Sequence, residues 1–153
     1  MITFEQVTKE NLYIAREMIN SNSSYFEIKY GEVPKQEIEM EFLTSKKYSF
    51  LIKVEDSYIG LTSYREQPTE KSISIDLLII HADYQGFGYG TTAYYELENL
   101  FVQQGYKKST LDVSSENNRA KQFWERNGYT AFDIRGSNKG KEMTCYEKTL
   151  SPS

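Results

Sequence analysis

The chain is poor in the residues that staple or metallate small proteins. Its one cysteine, Cys145, cannot close an internal disulfide, and with His81 as the only histidine no Cys/His zinc cage can be built. No metal is expected. No apolar run approaches the length a bilayer span needs, which excludes a membrane-spanning role. The amino end, Met1-Ile2-Thr3-Phe4-Glu5, lacks the basic and apolar regions of a secretory signal, so a cytoplasmic protein with no membrane partner is the expectation. Basic surface is scarce as well: 18 Lys and Arg stand against 22 Asp and Glu, a net charge of −4. Lys46-Lys47 and Lys107-Lys108 pair locally without forming a stripe, and no nucleic-acid partner is expected. Internal repeats, low-complexity tracts and linkers are absent.

What is present suits one compact domain over residues 1–153, with 39% hydrophobic and 26% charged residues. Thr8 reads as the cap of a helix carrying Leu12, Ala15, Met18 and Ile19. A polar turn, Asn20 to Ser24, follows. Pro34 opens a second helix with Ile38, Phe42 and Leu43 inward. Tyr48–Val54 and Tyr58–Tyr64 read as antiparallel strands about the turn Glu55-Asp56-Ser57. After a break at Gln67-Pro68-Thr69-Glu70, Ser72–Ile80 alternates, with Ile73, Ile75, Leu77 and Ile79 on one face and Ser74, Asp76, Leu78 and Ile80 on the other. A long helix bearing Ala93, Leu97, Leu100 and Phe101 ends near Gly105. Lys108–Val113 is a strand, and Asn117–Asn127 a short helix with Ala120, Phe123 and Trp124 inward. Tyr129–Ile134 and Lys141–Thr149 form a hairpin across the polar loop from Arg135 to Gly140. The order is α-α-β-β-β-α-β-α-β-β, with room for a short first strand: an α/β (α+β) fold with a mixed sheet flanked by helices.

Gln85-Gly86-Phe87-Gly88-Tyr89-Gly90-Thr91 is the most informative segment. Three alternate glycines lie between a buried strand and a helix. Glycine adopts backbone angles other residues avoid and lets a ligand approach the main chain. The helix start adds unpaired N–H groups and partial positive charge. Together these can hold a diphosphate. A plain strand-to-helix turn uses glycine in the same way, so the turn alone leaves both readings open. A dinucleotide fingerprint would need glycine where Thr91 stands, and no Gly-Lys-Ser/Thr ending of a Walker loop is present.

Gln85-x-x-Gly88-x-Gly90, following Leu78-Ile79-Ile80-His81-Ala82-Asp83-Tyr84, resembles the acetyl-coenzyme A motif of the GNAT N-acetyltransferases. Asn117-Asn118-Arg119-Ala120-Lys121-Gln122-Phe123-Trp124-Glu125-Arg126-Asn127-Gly128-Tyr129 is similar to that family's Asn-x-x-Ala-x-x-x-Tyr-Glu-Lys-x-Gly-Phe segment. The resemblance implies a GNAT fold and acetyl-coenzyme A as co-substrate. It implies that the main chain of Leu78, Ile79 and Ile80 pairs with the pantetheine arm and that the amides of Gly86, Phe87, Gly88, Tyr89, Gly90 and Thr91 hold the pyrophosphate. Asn117 would bind the pantetheine near the thioester. Members of the family often pair through edge strands or the carboxyl-terminal hairpin, so the resemblance allows a homodimer.

The implied reaction moves an acetyl group to a primary amine of a small molecule or an exposed protein amine by direct attack on the thioester. The attacking amine must be neutral. A lysine-like amine with a pKa near 10.4 costs roughly 4–5 kcal/mol to deprotonate at pH 7. A positioned base contributes about 10²–10⁴ in rate. Asp76, flanked by Ile75 and Leu77 on the central strand, is the first candidate base, because an apolar setting would raise its pKa. Asp112 on the next strand is the second. Both also suit a hydrogen-bonded structural aspartate. His81 lies beyond the strand end and reads as a solvated residue. Trp124 stands where the family often has the tyrosine that protonates the departing sulfur. Indole donates a hydrogen bond but is no acid, so Trp124 either packs on the cofactor or fills the core. That departure keeps a rival reading: a non-catalytic acetyl-coenzyme A or coenzyme A sensor or interaction module of the same fold. Cys145 reads as a small buried residue rather than a nucleophile. On the acceptor side, the expected loop Ser23–Glu32 carries Tyr25, Phe26 and Tyr30, which could take a substrate cation on their ring faces or simply anchor the loop.

Overall fold

The computed structural model describes residues 1–67, 71–136 and 141–150. The elements run β1 (Ile2–Gln6), α1 (Leu12–Ser21), α2 (Ser23–Tyr30), α3 (Lys35–Glu41), β2 (Tyr48–Val54), β3 (Ser57–Gln67), β4 (Ser72–Ile80), α4 (Tyr89–Gln103), β5 (Lys108–Ser114), α5 (Asn118–Arg126), β6 (Thr130–Gly136) and β7 (Glu142–Thr149). The strands form one mixed sheet in the order β1-β2-β3-β4-β5-β7-β6. β1 pairs antiparallel with β2, and β2 with β3. The ladder of β4 with β5 is parallel and runs from Ser72↔Lys108 to Ile75↔Leu111. The expected mixed α/β fold is therefore present. The break at 68–70 and positions 137–140 of the expected polar loop lie outside the described residues.

The chain divides into two compact units, residues 1–65 with 76–98, and residues 66–75 with 99–153. In the first unit, β4 confirms its alternation. Leu77 and Ile79 join a core with Ile14, Met18, Phe26, Phe42, Leu51 and Leu61, while Ile80 joins Ile2, Ile52, Ile59 and Ala93 in another. In the second, Trp124, Tyr129 and Tyr146 are buried. The Tyr129 and Ser109 hydroxyls share a 2.7 Å hydrogen bond, and the Tyr146 hydroxyl donates to Glu125 at 2.7 Å. These bonds satisfy phenols that burial would otherwise leave unpaired.

Several elements differ from expectation. Thr8 does not cap α1. The cap position is Asn11, whose side chain turns back to accept the Thr8 N–H at 2.7 Å and to donate to Gln6 O. The segment expected as a loop after Ser23 is the helix α2, separated from α1 only by Asn22. Phe26 explains this: a buried anchor on one face outweighs a polar run that locally reads as a turn. Pro34 sits before α3 in extended conformation (ψ 141°) rather than within its first turn, and the helix ends at Glu41, before Phe42 and Leu43. Of the residues expected inward on α5, only Trp124 is buried; Ala120 and Phe123 are half-buried.

Candidate functional site

β4 ends at Ile80, and a 3-10 turn (Ala82–Tyr84) leads into the glycine segment. His81 caps that turn: its Nδ1 accepts the Asp83 N–H at 3.0 Å. Gly86 and Gly88 have φ of 87° and 83°, the left-handed region that side chains disfavour. Tyr89 and Gly90, expected in the turn, already lie in the first turn of α4. The first main-chain hydrogen bond after Gln85 is from Thr92 N–H to Gly88 O at 3.1 Å. Among the described residues, the six N–H groups from Gly86 to Thr91 have no internal acceptor. They lie at the positive end of a helix of 15 residues. Phe87 is 73% exposed, so this residue offers its backbone rather than a packed side chain.

Gln85 serves this region through its side chain. Its Nε2 donates to Ile80 O at 2.8 Å and to Asn22 Oδ1 at 3.0 Å, while Asn22 Nδ2 donates to Ile80 O at 3.1 Å. The carbonyl of Ile80 is thus spent on two amides. The His81 N–H donates to Ile59 O across to β3. Antiparallel alternation therefore turns the Ile80 N–H toward the opposite edge of β4.

Asp76 does not stand in the apolar setting expected of it. Arg65 pairs with it: Nη2 donates to Oδ1 at 3.0 Å, and Nε lies 3.0 Å from Oδ2, a buried oxygen that accepts no hydrogen bond among the described residues. The Lys47 ammonium lies 4.0 Å from Oδ2, and Lys29 Nζ donates to the Asp76 main-chain carbonyl. Alternation places a residue on a strand face but does not show which long basic side chains converge on it. Asp112 is exposed on β5 and is the Cα partner of Cys145 on β7. Burial, then a hydrogen bond to the Asp112 carboxylate, pushes the Cys145 thiol up to about 11, which keeps it protonated and inert.

The aromatic trio near the amino end is already engaged. Phe26 is a core residue, stacked on Tyr30 with ring centroids 5.7 Å apart and edge-on to Tyr25 at 5.3 Å. The cation over the tyrosine rings is the chain's own: Lys29 Nζ lies 6.0 Å from the Tyr25 centroid and 5.6 Å from that of Tyr30. Burial opposes the charge on Lys29, but the two phenols and Asp76 outweigh it and its pKa is raised. Burial lifts the Tyr30 phenol to about 12. Sequence reasoning missed Asn22, Lys29 and Arg65. Had residues 23–30 been read as helix, the i, i+4 spacing of Tyr25 and Lys29 would have revealed that pair.

In the second unit, Asn117 is the N-cap of α5; its Oδ1 accepts the Ala120 N–H at 3.1 Å. Trp124 is 7% exposed and edge-on to Phe123 and Tyr129 at 5.0 and 5.2 Å. Among the described residues no group of three or more His, Cys, Asp or Glu is placed to hold a metal ion, and no helix is long and apolar enough to cross a membrane.

A strand, a left-handed glycine turn and a helix with open amides at its start make a concavity suited to the oxygens of a diphosphate. The family model described as "Acetyltransferase (GNAT) family" matches residues 15–129, and the chain belongs to that family. No curated protein matches it. Solved structures share its fold at low identity. The acetyl transferase of Salmonella typhimurium that modifies the N-terminal serine of ribosomal protein L7/L12 is 12% identical with a TM-score of 0.83, covering 98% of this chain and 95% of that one. The ribosomal-protein-S18-alanine N-acetyltransferase of Escherichia coli is 14% identical, TM-score 0.77, over 100% and 96%. The spermidine N-acetyltransferase of Vibrio cholerae, solved with CoA and spermine, is 15% identical, TM-score 0.79, over 97% and 95%.

Proposed function

We propose that the chain is an acetyl-coenzyme A dependent N-acetyltransferase acting on a primary amine of a small molecule or an exposed protein amine. The supporting observation is the run of open N–H groups from Gly86 to Thr91. Consecutive amides at a helix's positive end fit the oxygens of a diphosphate, and each such bond to a charged oxygen contributes about 1.5–3 kcal/mol. Gly86 and Gly88 make that arrangement accessible.

Acetyl-coenzyme A, when bound, supplies an acetyl group activated as a thioester. Within this proposal the main chain of Leu78, Ile79 and Ile80 lies along its pantetheine arm. The Ile80 N–H polarises the acyl carbonyl, while Gln85 and Asn22 fix that strand end by occupying Ile80 O. Asn117, its Oδ1 spent on the cap, offers its Nδ2. Asp112 takes the proton from the attacking amine, because it is the exposed carboxylate, whereas Asp76 is half-buried and paired with Arg65. Asp76 then positions the cations around it. Trp124 packs, its indole being no acid, so this position would give the departing thiolate no proton.

Release of free thiol from acetyl-coenzyme A across a panel of amines tests the proposal. Amine-dependent release is expected. Tight coenzyme A binding with no turnover on any amine would instead favour the non-catalytic binding module, the reading that Trp124 keeps open.

A further inference from the structure

α1 and α2 meet at Asn22, and the break between them lies against the end of β4. There the Ser21 hydroxyl accepts the Ala82 N–H at 3.3 Å, and Asn22 Nδ2, shared with Met18 O and Ser21 Oγ, donates to Ile80 O at 3.1 Å. Near the other end of α2, Lys29 Nζ donates to Asp76 O. The helix is thus tied to β4 at both ends, each time through a main-chain carbonyl.

These carbonyls share one edge of the strand. Leu77 O accepts the Thr62 hydroxyl of β3 at 2.8 Å, Ile79 O lies against Gly60 of β3, and the His81 N–H donates to Ile59 O at 2.7 Å. In a trans peptide the C=O points away from the following N–H, and a strand residue turns its own N–H and C=O to the same side. Asp76 O, Leu78 O and Ile80 O therefore face away from β3. The ladder with β5 ends at Ile75↔Leu111, before any of the three. Among the described residues, Lys29 takes the first of these acceptors and Asn22 with Gln85 the last, while Leu78 O is taken by none.

An extended ligand added along this edge can donate its amides only where an acceptor is free. With the outer two carbonyls occupied, one register remains. A slip to the next equivalent position moves the ligand by two residues, about 6.8 Å, whereas a misplacement of about 1 Å at the reacting atoms already costs rate heavily.

We propose that Asn22 and Lys29 are positioning residues that set this register: by occupying the carbonyls on either side they confine the acyl carrier's arm to Leu78 O and bring its acyl carbonyl to the Ile80 N–H. This rests on the transferase reading above. It gives α2 a part in aligning the thioester, distinct from holding the acceptor amine.

Two analogues of acetyl-coenzyme A that cannot transfer their acyl group test it. Both carry CH2 in place of the sulfur; one keeps the acetyl carbonyl and the other has CH2 there as well. Their dissociation constants are read by calorimetry with no amine present. The wild-type protein should bind the carbonyl analogue about fivefold tighter, the worth of one hydrogen bond. Asn22→Ala and Lys29→Met should each bring that ratio close to one. Affinity for coenzyme A itself, carried by the glycine turn, should stay within about threefold, with melting curves confirming each fold. In turnover, kcat should fall by about tenfold while KM for acetyl-coenzyme A changes little. An undiminished ratio in either folded variant would overturn the proposal. So would a parallel loss of coenzyme A affinity, which marks a merely structural role, or a wild-type protein that binds coenzyme A without preferring the carbonyl. A wild-type protein that binds no coenzyme A would sink the transferase reading itself, and the register with it.

Discussion

The turn after β4 and the helix α2 present opposite kinds of surface within one unit. From Gly86 to Thr91 the chain holds out main-chain N–H groups that nothing in the described protein accepts. Along α2 the conspicuous side chains are spent on one another: Lys29 covers the Tyr25 and Tyr30 rings and donates to β4, and Phe26 is core. A functional surface is marked by groups left open, and a row of aromatic residues is not by itself such a mark.

The largest effect that could break this contrast comes from the turn. Gly88→Asp places a side chain at φ 83° and a negative charge among the open amides. Coenzyme A affinity should fall by about 10²-fold or more while the fold persists. Unchanged affinity in calorimetry would remove the turn from the site.

The two carboxylates come next. Asp112→Asn should lower kcat/KM by about 10² or more and flatten the acid limb of its pH profile. Asp76→Asn, which takes the counter-charge from Arg65, should cost about tenfold and leave that limb in place. The reverse pattern would return the base to Asp76.

A third change addresses stability rather than chemistry. A methyl group at Gly60 on β3 would overlap the main-chain oxygen of Ile79. Gly60→Ala should destabilise the protein by about 1–3 kcal/mol in denaturant unfolding, because backbone cannot step aside as a side chain can. A neutral result would mean that β3 and β4 separate at little cost. The smallest effect is expected at Trp124: Trp124→Phe should change kcat by less than about threefold, as its ring contacts are edge-on packing. A loss beyond 10²-fold would give the indole a chemical part.

How much of this was legible in sequence follows from the kind of interaction. β2 and β4 were read to the residue, because apolar runs and strict alternation are local. The glycine turn was legible because left-handed backbone needs glycine and leaves that letter in the sequence. α2 was not, since its anchor Phe26 acts through a distant core that no local window contains. The cap of α1 slipped from Thr8 to Asn11 because several residues near a helix start can all cap it. Asp76 was placed on the correct strand but in the wrong company. Arg65 and Lys47 reach it from other elements, and long flexible side chains leave no periodic trace. Gly60 was overlooked because the close approach that demands it comes from β4, outside its own strand.

Titration of the isotopically labelled protein with coenzyme A, followed through its backbone amide resonances, bears most directly on the central claim. The amides of Gly86 to Thr91 should show the largest shifts and saturate together at one dissociation constant. Saturable binding that leaves those six resonances unmoved would contradict the account.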